Sequence, residues 1–111
     1  MLEFLQIFFL LVFVHTLADY PLQGDFLAKA KNHVTPIPGI PWYQAMSAHS
    51  MIHAGFVYVI TGSIILGFLE FIVHFLTDFS KNAGVFDFDT DQFIHIFFKI
   101  IWAYVALNTI T

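Results

Sequence analysis

Four times along this chain two histidines, or a histidine and an aspartate, stand four residues apart, each pair in a different apolar segment. The pairs are His15 with Asp19, His49 with His53, His74 with Asp78, and Asp91 with His95. Residues i and i+4 share one face of a helix, a turn apart. Ionisable side chains in oily segments are costly unless partners meet them. The fold must therefore bring these four faces together, and each pair reads as a two-toothed metal clamp.

The composition narrows the setting. The chain has 111 residues, enough for a single domain, with 59% hydrophobic and 11% charged residues and 15 Phe. A soluble domain carries about 25% charged residues. So few charges cannot wet its outside, and the expected solvent is a lipid bilayer. Cysteine is absent, which excludes disulfides, thiolate metal sites and cysteine nucleophiles. The four basic residues are all lysines and the net charge is −4, which excludes a guanidinium phosphate clamp and argues against nucleic acid as a partner. The first apolar run lacks a basic leader and a small-residue cleavage site, so it is expected to be a retained membrane helix.

The punctuation predicts an all-α fold: an antiparallel bundle of four transmembrane helices with a short interfacial amphipathic helix between the first and second. The expected helices cover about 2–20, 42–61, 64–80 and 91–110, as one integral membrane domain over 1–111. Pro21 to Lys31 forms the amphipathic stretch, ended by the Pro- and Gly-broken segment 35–41. Trp42-Tyr43 is an interfacial aromatic pair. Gly62-Ser63 permits a tight reversal, Asn82-Ala83-Gly84 stops the third span, and Asp87, Asp89 or Thr90 caps the fourth.

Short links make neighbouring helices antiparallel. His15/Asp19 end the first span and His49/His53 lie near the start of the second. His74/Asp78 end the third, and Asp91/His95 start the fourth. Alternating direction brings all four pairs to the same end. One turn deeper, Glu70 precedes His74 by four and Lys99 follows His95 by four, so the two are expected to face each other or the metals. The alternative is a snorkelling Lys99 and a protonated Glu70.

Imidazole with carboxylate suits divalent zinc, iron or manganese. Five imidazoles and three carboxylates exceed what one tetrahedral ion uses, so two ions are expected, zinc favoured. A hydrogen-bonded network without metal, or haem between two histidines, are the competing readings. Gln23, Lys81 and Gln92 stand beside the clamps, where they could orient ligands or bind a head-group phosphate, or serve ordinary interfacial roles. Lys99 joins them as a candidate substrate contact, and Glu70, or a clamp carboxylate left unbound, is the candidate general base. Ser47 and Ser50 flank His49, with backbone bonding the simpler role. His33 is expected to be a solvated loop residue, and the Phe-rich faces lipid-facing or packing surface.

Lys29, Lys31 and Lys81 all fall in links on the clamp side. By the positive-inside bias that end faces the cytoplasm and both termini face outward, in a multi-pass inner-membrane protein.

The ordered pattern His15-x-x-x-Asp19 with Gln23, His49-x-x-x-His53, His74-x-x-x-Asp78 with Lys81, and Asp91-Gln92-x-x-His95 resembles a group of small phage and bacterial membrane proteins of unknown function. It is distantly similar to bacterial inner-membrane proteins described as metal-dependent hydrolases, which share His-x-x-x-Asp elements on short transmembrane helices. The resemblance spans nearly the whole chain and implies a membrane metalloprotein. Glu70 and Lys99 have no counterpart in that pattern, and their role rests on helix geometry.

The function expected from these readings is a dinuclear membrane metallohydrolase acting on a lipid-linked ester, phosphoester or amide, with the amphipathic segment as a lid. Two rivals are a metal-stabilised effector that binds a host membrane protein, and a small metal transporter. Di-iron oxidation chemistry is a third, and self-association stays open.

Overall fold

The computed structural model describes residues 1–108 and is all-α. Its helices are α1 (Leu2–Asp19), α2 (Gly24–Ala30), α3 (Trp42–Thr61), α4 (Ile64–Asn82) and α5 (Phe88–Asn108). The helix expected over 91–110 runs past the described residues at 109 and 110.

Two boundaries differ from expectation, each for a local reason. α4 passes Ser80 to reach Asn82, where the Ala83 amide bonds to the Phe79 carbonyl and Gly84 turns at φ +85°. A left-handed residue just past a helix is the commonest stop signal, and glycine adopts it without strain. α5 begins at Phe88 rather than Asp91 because Asp87 is its cap, accepting from the Thr90 amide at 2.8 Å. At the α3–α4 reversal Gly62 has φ +74° and Ser63 Oγ accepts from the Leu66 amide at 3.1 Å.

α1 packs on α3 and α5, α4 packs on α3 and α5, and α2 lies against α3. The four long helices thus close a ring, alternating in direction. α3 and α4 approach closely at Gly67, where a Cβ would lie 3.2 Å from the Ala54 carbonyl oxygen and 3.3 Å from Tyr58 Cβ.

The interior divides along the bundle axis. The half near the α3–α4 reversal is apolar, built on Leu11, Val57, Leu66, Trp102 and Ala103 with Phe4, Phe8 and Phe98 around them. The other half is filled with ionisable groups: five histidines, Glu70, Asp78, Asp91, Lys31 and Lys99 are all buried. Outside, the polarity is reversed. Phe9, Phe13, Val59, Phe68, Ile72, Leu76, Phe93 and Tyr104 are exposed.

α1 alone among the described residues is apolar enough, by length and composition, to cross a membrane. The inward stripes explain this. α3, α4 and α5 carry most of their His, Asp, Glu and Lys on buried faces, such as Asp91, His95 and Lys99 on α5, while Asp89 is exposed and Lys81 half-buried at the helix ends, and together these lower the mean hydropathy.

Candidate metal centre

Each clamp lies on the inward face of its helix. On α3 the buried residues run Ala45, Met46, His49, Ser50, His53, Ala54 and Val57, and on α4 Leu66, Gly67, Glu70, His74, Thr77 and Asp78. Small residues beside the histidines let the helices approach, and the four-residue step keeps the imidazoles on the seam.

Two overlapping groups of ligand atoms result, each with its atoms within 4.8 Å of one another: Asp19, His49, His53 and His74, and then His74, Asp78 and His95. Asp19 Oδ1 lies 2.8 Å from His53 Nε2 and 3.1 Å from His49 Nε2. Asp78 Oδ1 lies 2.8 Å from His95 Nε2, while its Oδ2 lies 3.3 Å from His49 Nε2 and 3.5 Å from His74 Nε2. The Nε2 atoms of His49 and His74 are 3.3 Å apart. Nitrogen lone pairs facing one another at that distance need a proton or a cation between them.

His15 does not join either group, and the hydrogen bonds say why. Gln92 Nε2 is 2.9 Å from Asp19 Oδ2 and 3.2 Å from Asp91 Oδ2. Carboxylates only accept, so the amide nitrogen must face them and Gln92 Oε1 must face His15 Nε2, at 3.0 Å. His15 Nε2 therefore carries its proton and donates. His15 orients Gln92, and Gln92 holds Asp19. Asp91 also lies outside both groups, with Oδ1 buried and without a hydrogen-bond partner, 3.4 Å from His95 Nε2.

Glu70 and Lys99 do face each other. Lys99 Nζ donates to Glu70 Oε1 at 2.9 Å, Trp102 Nε1 donates to the same oxygen at 2.8 Å, and His74 Nδ1 donates to Oε2 at 2.9 Å. Both Glu70 oxygens are thus engaged, and Lys99 lies behind the histidines, away from the cavity described next. The carboxylate fixes the His74 tautomer, leaving Nε2 bare toward the ligand groups.

A cavity of about 340 Å³ lies over the carboxylates. Asp19, Asp78 and Asp91 form its floor; Gln23, Lys31, Lys81 and Gln92 line its walls. Gln23 donates to the Asp19 carbonyl at 3.1 Å, with its Oε1 buried and unpaired. Lys81 stands 5.8 Å from the Phe88 ring centroid. A larger cavity of about 470 Å³ between α3 and α4, near Met51, Gly55, Phe68 and Phe71, presents no His, Asp, Glu or Lys side chain.

Two residues escaped the sequence reading. Lys31 is not a free link lysine: it is 5% exposed and its Nζ lies 2.7 Å from Asp78 Oδ2. Its signal was the shared face of Leu27, Ala30 and Lys31, of which Ala30 is wholly buried. Trp102, three residues past Lys99 on the same stripe, carries an indole N–H that needs a partner when buried. His33 is a further correction. Its ring stacks on Phe79 at 3.8 Å and lies 5.4 Å from Trp42, because the Pro-rich loop folds back over α4.

Comparison with protein-family models, with curated proteins and with solved structures gives no match to this chain. What the centre can do rests on its own geometry. Two overlapping buried groups, one of Asp19, His49, His53 and His74 and one of His74, Asp78 and His95, could hold metal ions.

Proposed function

We propose that this chain is an integral membrane metallohydrolase, with two divalent ions, zinc favoured, held by the clamps at one end of a four-helix bundle. The observation that carries the reading is the pair of overlapping ligand groups beneath a cavity large enough for a head group. The inverted polarity supports the membrane setting. Ionisable groups fill the interior while phenylalanines and aliphatic residues face outward, which suits lipid and not water. Helices of 18 to 21 residues are about 27–32 Å long at 1.5 Å per residue, against about 30 Å of hydrocarbon.

Bound divalent ions supply a water acidified to near neutrality and polarise the bond under attack. The chain's own residues do the rest. Gln92 and His15 hold Asp19 in place, and Glu70 holds His74. Lys31 and Lys81 in the cavity walls bind an anionic group of the substrate, which favours a lipid-linked phosphoester over a neutral ester or amide. The α1–α2 link and α2 expose Leu22 and Phe26 beside the cavity, apolar groups suited to the membrane interface, where such a substrate enters. The general base is a cavity carboxylate rather than Glu70, whose oxygens are both engaged. With Lys31 paired to Asp78, the proposed topology rests on Lys29 and Lys81, and the positive-inside bias of these two supports a cytoplasmic orientation of the centre.

Transport is the weaker reading. Past Glu70, Lys99 and Trp102 the interior among the described residues is an apolar cluster of Leu11, Val57, Leu66 and Ala103, which does not favour an ion path to the far end. The resemblance to phage and bacterial membrane proteins agrees with a metalloprotein and names no substrate. The test is elemental analysis of detergent-purified protein, followed by incubation with labelled phospholipids and lipid-linked phosphates. Stoichiometric metal with release of a labelled head group is expected. Metal without turnover on any lipid class would remove the hydrolase and leave a metal-fastened effector.

A further inference from the structure

We propose that the two ions are unequal: Asp19, His49, His53 and His74 close around one, while Asp78, Asp91 and His95 hold the other with a position open to the cavity. The proposal rests on the metallohydrolase reading and says which ion meets substrate.

His74 lies in both ligand groups, yet it can serve one ion only. Its Nδ1 is committed to Glu70, so it has a single lone pair, on Nε2. That atom is 3.3 Å from His49 Nε2 and 3.5 Å from the nearer Asp78 oxygen. Ligands about 2.0–2.1 Å from a tetrahedral zinc ion lie about 3.3 Å from one another. Of the six separations among Asp19 Oδ1 and the ligand nitrogens of His53, His49 and His74, four are 2.8, 3.1, 3.3 and 3.8 Å, which straddle that spacing, and all six lie within 4.8 Å. Four protein ligands saturate such an ion, the arrangement of a structural site.

With His74 assigned there, the second group is one ligand short, and Asp91 supplies it. Its Oδ1 is a buried carboxylate oxygen with no hydrogen-bond partner, 3.4 Å from His95 Nε2, while Asp78 Oδ1 approaches the same nitrogen at 2.8 Å. A buried carboxylate oxygen left unpaired is expensive, and a cation shared with Asp78 and His95 satisfies it. Three protein ligands with one place open is the pattern of catalytic sites. Asp78 and Asp91 both line the cavity, whereas Asp19 is the sole member of the first group that does. The divalent charge is cancelled by two carboxylates, and Lys31 on Asp78 Oδ2 leaves this corner positive toward an anionic ligand.

The test uses cobalt(II)-loaded protein in detergent, with metal counted by elemental analysis and coordination read from the visible spectrum. Wild-type protein should bind two ions, lose one before the other to a chelator, and show bands of the weaker ion alone shifting with inorganic phosphate. Asp91→Asn should hold one ion, keep the intense four-coordinate bands and no longer respond to phosphate. Two ions in Asp91→Asn, or loss of both wild-type ions in one step, would overturn the allocation and leave the metal centre standing. Wild-type protein that binds no metal would overturn the metallohydrolase reading itself.

Discussion

Replacing Glu70 by Gln separates what holds the bundle together from what prepares it for metal. The side chain keeps its shape, but one of its two oxygens becomes an amide nitrogen. Lys99 and Trp102 both donate to Oε1, so the amide oxygen must stay there and the nitrogen must face His74 Nδ1. Two donors cannot face each other, so His74 moves its proton to Nε2, the atom aimed at the ligand groups. Metal then has to displace that proton and work against the new hydrogen bond. Lost partners of this kind weaken metal affinity about 10–100-fold, or about 1.4–2.7 kcal/mol. Separately, the Lys99 ammonium, 1% exposed like Glu70, loses its counter-charge. Breaking a buried pair from one side destabilises by about 3–5 kcal/mol. Adding Lys99→Met to Glu70→Gln removes the stranded ammonium and should recover most of that stability, while metal affinity stays low because the tautomer is unchanged. Chelator competition and denaturant unfolding in detergent read the two quantities independently. Wild-type metal affinity in Glu70→Gln, or its return in the double variant, would refute the tautomer account.

Other outcomes follow from single contacts. Lys31→Met leaves Asp78 without its 2.7 Å partner, so the metal-free protein should melt lower and the rise in Tm on adding zinc should exceed that of wild type. Gly67→Ala sets a methyl 3.2 Å from the Ala54 carbonyl and should destabilise by about 1–3 kcal/mol, read by unfolding in detergent, with metal stoichiometry unchanged. The Thr90 amide and hydroxyl hold the Asp87 carboxyl below its usual range. A depressed folded pKa stabilises above the ordinary carboxylate range and is lost as pH falls through the folded value. Asp87→Asn should therefore flatten the acid limb of a Tm-against-pH curve and alter little at neutral pH.

Legibility was uneven, and the reasons are physical. The recurring four-residue step was enough to place His49, His53, His74, Asp78 and Asp19 on facing seams, because helix periodicity is local and short links leave few ways to arrange four helices. The α3–α4 turn was likewise visible in Gly62-Ser63. Helix ends were less so. Asp87, Asp89 and Thr90 all satisfy the chemistry of a cap, and only backbone geometry chose Asp87.

Within the centre, residue type announced the chemistry and position announced the depth, both properties of the chain taken one segment at a time. Roles did not come that way. His15 and His49 look alike in sequence, yet the amide of Gln92, pinned by two carboxylates from different helices, makes one a donor and leaves the other facing a second imidazole. Lys31 reads as a link lysine until α2 folds onto α3 and lowers it onto Asp78. Pattern within a helix is set by bonds to near neighbours. Proton positions, ion pairs and the allotment of ligands depend on distances between helices, and those exist only once the bundle has closed.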